Sequence, residues 1–121
     1  MFTNSGINKV FLVGSIGKDP RSHNFQDQQE VLCFPLITNE TIKKNGEDFE
    51  LTEWHNIKIP KAITAINSQL PKKGDLLYIE GKIQTRSFYD EEQVKKYKLE
   101  IIVIKFQVLS SVPVLETSLV S

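Results

Sequence analysis

Residues 50–71 read ELTEWHNIKIPKAITAINSQLP, and the apolar period of the sequence changes within this stretch. Over residues 50–59 the side chains alternate, with His55, Ile57 and Ile59 on one face of a predicted strand. After Pro60 the apolar residues recur at helical spacing, at positions 62, 63, 66 and 70, before a proline at 71. The stretch therefore predicts a strand that is followed directly by a helix over residues 61–70.

Two more strands are predicted on the N-terminal side. Residues 7–16 are apolar and β-branched, and Gly14 within them indicates a bulge or a sharp bend. Residues 18–30 are polar and predict a loop. Residues 31–40 predict the second strand, in which Pro35 indicates an edge position or a bulge.

The remaining signals complete one small barrel. The pair Asn45-Gly46 predicts a hairpin between the second and third strands. Beyond the helix, residues 76–89 predict a long strand, residues 90–96 a charged loop and residues 97–109 a last strand. The order β-β-β-α-β-β predicts an all-β domain with one helix, a five-stranded OB-fold Greek-key barrel of the kind that commonly binds oligonucleotides. An SH3-like barrel is the alternative, but it would not normally carry a helix of this length there.

Length and composition indicate one globular domain. The chain has 121 residues, of which 40% are hydrophobic and 25% charged, values typical of soluble globular domains. We expect the barrel domain over residues 1–109 and a short flexible C-terminal tail over residues 110–121. Lys plus Arg and Asp plus Glu both number 15, so a nucleic-acid site would need local positive charge.

The sequence indicates a cytoplasmic protein. It has one cysteine, Cys33, so an intramolecular disulfide is excluded and a reducing compartment fits. The N-terminal residues show no secretory signal pattern, and the longest apolar runs are far too short to span a bilayer.

Two large aromatic residues are predicted on polar faces. Trp54 shares its face with Asn56 and Lys58. Phe88 shares its face with Lys82 and Arg86. Flat rings beside cations suit a single-stranded nucleic acid, because bases stack on the rings and phosphates contact the cations. The alternative is that both rings pack under a loop or in a subunit interface.

Catalytic and metal-binding signals are absent from the sequence. The two histidines are His23, in the predicted loop, and His55, on the apolar face of its strand, with no metal-ligand spacing between them. Cys33 is predicted to be a small core residue. Because there is also no phosphate-binding glycine loop and no hydrolase motif, we expect no enzyme activity, no cofactor and no metal.

Several motifs, in this order, resemble those of the bacterial single-stranded DNA-binding protein family. The resemblance covers about residues 7–109, and the motifs that carry it are Asn8–Gly14, Gly17–Pro20, Thr52–His55, Lys73-Gly74, Tyr78–Lys82, Thr85–Phe88, and Tyr97 with Glu100. The resemblance implies an OB-fold and sequence-independent binding and protection of single-stranded DNA during replication, recombination and repair. It also implies a homotetramer.

The resemblance implies roles for individual residues. Trp54 and Phe88 fall on stacking positions, Arg86 and Lys73 on positive positions near the DNA, and His55 on a position tied to subunit assembly. With the basic and polar residues of the strands and hairpin, the expected phosphate and polar contacts are Lys9, Lys43, Lys44, Asn56, Lys58, Lys73, Lys82 and Arg86.

The chain departs from the family pattern in three places. Ile42 stands where the family often has Trp, and Pro60 where it often has Phe, so stacking surface is lost unless another ring such as Tyr89 replaces it. The family's long tail with an acidic, Phe-ended tip is not matched by residues 110–121, so the sequence gives no basis for expecting recruitment of replication and repair proteins through such a tip. The absent tip and the even charge leave a second hypothesis open, a primosomal OB-fold accessory or adaptor protein that acts mainly through protein contacts.

Overall fold

The computed structural model describes residues 5–24, 29–67 and 69–110. Its elements, in chain order, are β1 (Val10–Ile16), β2 (Arg21–Asn24), β3 (Glu30–Lys44), β4 (Glu47–Pro60), α1 (Lys61–Thr64), β5 (Leu76–Tyr89) and β6 (Lys95–Ser110). The strands follow the order β1-β5-β6-β4-β3-β2, and β1 also pairs with β3, which closes the five long strands into a barrel. The predicted OB-fold is confirmed.

The barrel encloses one apolar core. The alternation predicted for the third strand holds, since Ile57 and Ile59 on β4 are buried at 1% and 0% exposure. They pack with buried aliphatic and aromatic residues of the other strands: Ile16, Phe34, Leu36, Leu77, Ile79, Ile101, Val103 and Phe106. Burial of this apolar surface is the main stabilising contribution to the fold.

Two long two-stranded ribbons extend beyond the barrel, one from β3–β4 and one from β5–β6. The predicted hairpin at Asn45-Gly46 is confirmed, and both residues have the positive φ that a two-residue turn of this kind requires, 54° and 80°. Because side chains alternate along each strand, each ribbon has one face that continues the core side and one that continues the outer side of the barrel.

The predicted loop over residues 18–30 contains a short strand instead. Arg21–Asn24 form β2, which pairs antiparallel with the first residues of β3. All four side chains of β2 are exposed. A strand without apolar alternation gives no periodic signal, and its pairing with β3 depends on the tertiary fold.

The predicted helix over residues 61–70 is shorter in the structure, where α1 ends at Thr64. The side-chain amide of Asn67 donates to the carbonyl oxygen of Ile63 at 2.6 Å, and the Asn67 backbone N–H bonds to Thr64. These bonds use carbonyls that a continuing helix would need. Ile63 packs against the core, but Ile66 and Leu70, expected on the same apolar face, are 80% and 60% exposed.

The bulges of the barrel do not all lie where the sequence predicted them, at Gly14 and Pro35. The register of β1 with β5 is unbroken through Gly14, whereas register shifts occur between β5 and β6 at Leu76/Leu77 and Glu80/Gly81. A side chain at Gly14 would collide with the backbone of Ile37, so its role is close approach of β1 to β3. Pro35 lies where β3 changes its neighbour from β2 to β1, and its carbonyl accepts from the N–H of Gly17.

No helix among the described residues is long and apolar enough to cross a membrane. Residues 111–121, most of the expected tail, lie outside the described residues.

Candidate nucleic-acid interface

An open groove lies on the outer side of the barrel, across the strands that flank β4. It is bounded by the β1–β2 connection and β2 on one side and by β5 and β6 on the other. Its lining residues are Lys18, Asp19, Arg21, Ser22, His23, Cys33, Phe34, Pro35, Trp54, Asn56, Ile57, Lys58, Lys73, Arg86 and Lys98.

The groove concentrates positive charge although the chain has no net charge. Among its lining residues, the positive side chains are Lys18, Arg21, Lys58, Lys73, Arg86 and Lys98, and Asp19 is the one acidic residue. The local positive charge that the sequence analysis required is therefore present at this site. Such a surface attracts a polyanion, and the attraction weakens as salt rises.

Trp54 presents its ring to solvent at the groove. It lies on the outer side of β4 opposite Ile37, and it is 53% exposed, which confirms the face predicted from alternation. Gly17 makes room for it, since a Cβ at that position would lie 2.8 Å from Cζ3 of Trp54 and 2.7 Å from Cδ1 of Ile37. The ring is thus supported from beneath by a close backbone contact.

Phe88 lies two residues beyond Arg86 on the same face of β5. It is 36% exposed, and the guanidinium carbon of Arg86 lies 5.6 Å from its ring centroid, within cation–π range. A flat ring and a cation are therefore held together at this position, as stacking of a base beside a phosphate contact requires.

Lys58 differs from its predicted state. We expected an exposed amine available to phosphate, but the residue is 8% exposed and its Nζ lies 2.9 Å from Oε2 of Glu100. The same carboxylate oxygen accepts from Nε of Arg86 at 3.1 Å. Lys58 lies on the polar face as predicted, but the partner that covers it comes from β6, which sequence alternation within β4 does not reveal.

Five of the predicted contact residues lie outside the groove lining: Phe88, which lies beside Arg86, and the lysines Lys9, Lys43, Lys44 and Lys82. Lys9 on the chain before β1 pairs with Glu80 at 3.8 Å, and Lys82 is exposed on the outer face of β5. Lys43 and Lys44 lie near the tip of the β3–β4 ribbon, opposite Asp48 and Glu47 respectively. Because they are consecutive, they point to opposite faces, so only Lys43 shares the face of Trp54.

Asn56, Lys73 and Arg86, by contrast, line the groove as expected, and Asn56 donates its amide to the carbonyl of Leu99 at 3.2 Å.

His55 points to the side opposite Trp54, as predicted. Its Nε2 lies 2.9 Å from Oγ1 of Thr38 on the neighbouring strand, and the ring is half-buried. The placement keeps it away from the groove.

Three groove cations escaped the sequence predictions of contact residues: Lys18, Arg21 and Lys98. Arg21 was missed because its segment was interpreted as a loop. Lys98 could have been found from the alternation of β6, since it is two residues before Glu100 and opposite Arg86.

Cys33, expected in the core, also lines the groove and is half-buried; burial is the main cause of the raised pKa of its thiol, so the thiol stays protonated at neutral pH. Within the described residues, no group of three or more His, Cys, Asp or Glu side chains is arranged to hold a metal ion.

Comparisons with known proteins agree with this geometry. Residues 7–109 match the model of the single-strand binding protein family. The chain is 40% identical over 107 residues to a single-stranded DNA-binding protein of Bacteroides thetaiotaomicron, covering 86% of this chain and 66% of that protein. It is 42% identical to single-stranded DNA-binding protein 1 of Chlorobaculum tepidum, covering 88% of this chain and 67% of that protein. The chain thus spans about two thirds of the length of these relatives.

Solved structures show the same architecture. The Plasmodium falciparum SSB in complex with single-stranded DNA has a TM-score of 0.71 at 27% identity, over 88% of this chain and 96% of that one. A deletion mutant of the single-stranded DNA-binding protein from Thermus aquaticus has a TM-score of 0.72 at 20% identity, over 87% of this chain and 51% of that one, and shows the shared fold.

Proposed function

Because this chain belongs to the single-strand binding protein family, we propose that it binds and protects single-stranded DNA without regard to sequence. The observation that carries the proposal is the groove in which an exposed Trp54 ring stands among positively charged side chains. It acts as a binding protein and not as an enzyme, in replication, recombination and repair, and in the cytoplasm, where its single cysteine fits the reducing environment.

Binding combines two interactions, base stacking and phosphate contacts, and of these the phosphate contacts weaken as salt rises. Bases stack on the rings of Trp54 and Phe88, which contributes about 1–3 kcal/mol per base and depends little on base identity. Phosphates contact the exposed cations of the groove, Lys18, Arg21, Lys73, Arg86 and Lys98, and this contribution falls with salt. The described groove offers cations and the Trp54 ring, and the Phe88 ring lies beside the groove residue Arg86; none of these groups selects a base sequence.

Titration with oligo(dT) of increasing length, at two salt concentrations, tests the proposal. Trp54 is the sole tryptophan, so its fluorescence reports directly on the groove. We expect quenching on binding and an affinity that falls as salt rises. Folded protein that shows no quenching and no binding at low salt would contradict the proposal.

We further propose a homotetramer. Phe11 and Val13 on the outer face of β1 are 59% and 51% exposed, and β1 pairs with β3 only at Ser15 and Ile16. An exposed apolar sheet face next to a partly open strand edge favours self-association. Light scattering should give four chain masses of 13.8 kDa each. The substitution His55→Tyr, at the proposed assembly position, should lower this mass, and an unchanged mass would contradict that role of His55.

One observation favours a second function, an adaptor that acts through protein contacts. The β3–β4 ribbon carries a cluster on its core-side face made of Ile42, Phe49 and Leu51, which are 38–47% exposed. Glu40, Glu47 and Glu53 share that face with one cation, Lys44, so the charge around the cluster is net negative. Such a face repels phosphate and suits a protein surface with basic residues. A chain that binds no DNA would favour this function over the first.

A further inference from the structure

Glu100 places a buried carboxylate beneath a groove that otherwise gathers cations. The residue is 2% exposed, and its Oε2 lies 2.9 Å from Nζ of Lys58 and 3.1 Å from Nε of Arg86. Burying a carboxylate is costly unless it is paired and hydrogen-bonded, and here both partners are cations on the DNA-facing side. A negative charge at this position weakens attraction for phosphate, so its contribution must be something other than attraction.

The two cations that contact Glu100 differ in how many hydrogen-bond donors they leave available to a phosphate. The Lys58 side chain is 10% exposed, so its ammonium is covered. The Arg86 side chain is 39% exposed. A guanidinium has five N–H donors, and Glu100 engages the one on Nε, so the donors on the two terminal nitrogens remain for a phosphate. Arg86 can therefore hold Glu100 and a phosphate at the same time, whereas the covered Lys58 is poorly placed to do so.

Arg86 is held from two sides. Nε is anchored by Glu100, and the guanidinium carbon lies 5.6 Å from the centroid of the Phe88 ring. A long side chain that is already ordered loses less freedom when it binds, which raises affinity without adding a contact. One N–H of a terminal nitrogen lies on the same edge of the guanidinium as Nε–H, and the other three terminal N–H groups lie off that edge, so anchoring at Nε leaves donors for a phosphate.

We propose that Glu100 is a positioning residue for DNA binding: it fixes the guanidinium of Arg86, and through it the ring of Phe88. Lys58 is the counter-ion that neutralises Glu100 and does not itself bind phosphate. This inference rests on the proposed function, since it concerns how the same groove holds single-stranded DNA.

A double substitution that leaves the net charge unchanged separates two effects: the positioning of Arg86 by Glu100 and the electrostatic attraction of the groove for DNA. Lys58→Met with Glu100→Leu removes one positive and one negative charge, so the net charge beneath the groove is unchanged. Oligo(dT) binding is measured for this variant with Arg86 present and again in an Arg86→Met background. We expect about a fivefold loss of affinity when Arg86 is present, from renewed side-chain freedom, and less than a twofold loss in the Arg86→Met background. An equal loss in both backgrounds, or none with Arg86 present, overturns the inference.

The salt dependence provides a second readout with a matched control. Lys98 is an exposed groove cation opposite Arg86 in the register of β5 and β6. We expect Lys98→Met to reduce the slope of log K against log salt by about 0.7, the value for one phosphate contact on a single strand. The Lys58→Met/Glu100→Leu variant should keep the parent slope. A slope reduced as much as in Lys98→Met would show that Lys58 contacts phosphate and would overturn its assignment as a counter-ion.

If circular dichroism shows that the double variant fails to fold, the substitution Arg86→Lys tests the inference instead. It keeps the charge but lacks the fork that bonds Glu100 and phosphate together. We expect about a fivefold loss of affinity at the parent salt slope, and parent-like affinity overturns the inference. The parent chain distinguishes failure of the proposed function from failure of this inference. If the parent chain binds no DNA, both are refuted. If it binds DNA but the effect of the double substitution does not depend on Arg86, only this inference is refuted.

Discussion

Replacing Trp54 with alanine should separate DNA binding from folding. The ring is 53% exposed, so about half of its surface is covered in the folded chain. With a Trp surface of roughly 200 Å², that covered half corresponds to about 100 Å² and, at about 25 cal/mol per Å², to at most about 2.5 kcal/mol of stability. The stacking contribution to one base is about 1–3 kcal/mol, which corresponds to a loss of about 5- to 150-fold in DNA affinity.

The assay uses a labelled oligo(dT), because Trp54→Ala removes the sole tryptophan and with it the intrinsic signal. Phe49→Ala is the matched control, since Phe49 lies on the same strand, is 47% exposed and points to the opposite face of the ribbon. We expect Trp54→Ala to weaken binding while the domain still melts cooperatively, and Phe49→Ala to bind as the parent does. Unchanged binding by Trp54→Ala, or an equal loss in Phe49→Ala, would refute the stacking role.

The remaining predictions concern the support of the ring, the groove charge and the β5–β6 turn. Gly17→Ala should displace the Trp54 ring, because the added Cβ would lie 2.8 Å from it; a shifted Trp emission and weaker oligo(dT) binding are expected, and a parent-like spectrum with parent-like affinity would contradict the contact. Lys73→Met should lower the magnitude of the salt slope by about 0.7, whereas Lys44→Met, on the ribbon face away from Trp54, should leave it unchanged; equal slopes in both would argue against the groove as the DNA path. Asp90 accepts backbone N–H bonds from Val94 and Glu92, which hold the pKa of its carboxyl below the ordinary value of 3.8. The turn is therefore stabilised above that value and loses this stabilisation as pH falls through the lowered pKa, so the Val94 amide shift should titrate below pH 3.8 in the parent and not in Asp90→Asn.

The prediction of the barrel rested on signals that are local in the sequence. Alternation over residues 50–59 indicated which side of β4 is buried, because a strand's side-chain period is two and burial of one face selects the apolar set. The Asn45-Gly46 turn was equally readable, since its positive φ values demand particular residues. Trp54 could be placed on the outer face for the same reason.

Two features that depend on contacts with other residues were not predicted correctly from the sequence: the strand β2 and the end of the helix α1. β2 has no apolar alternation and exists through its pairing with β3, so Arg21 was not recognised as a groove residue. The helix was predicted too long, because Ile66 and Leu70 continue the apolar period although the bonds of Asn67 end α1 earlier. Periodicity alone does not report a competing hydrogen bond.

What the sequence by itself determined about this protein is the order of the five long strands along the chain, the buried faces of those strands and the family to which its motifs belong, because each depends on residues close together in the chain. What only the tertiary structure decided is how the charges are shared. Lys58 on β4, Arg86 on β5 and Glu100 on β6 meet because β6 lies between the other two strands in the sheet. An ion pair depends on distances between strands, and those distances are fixed only when the barrel closes.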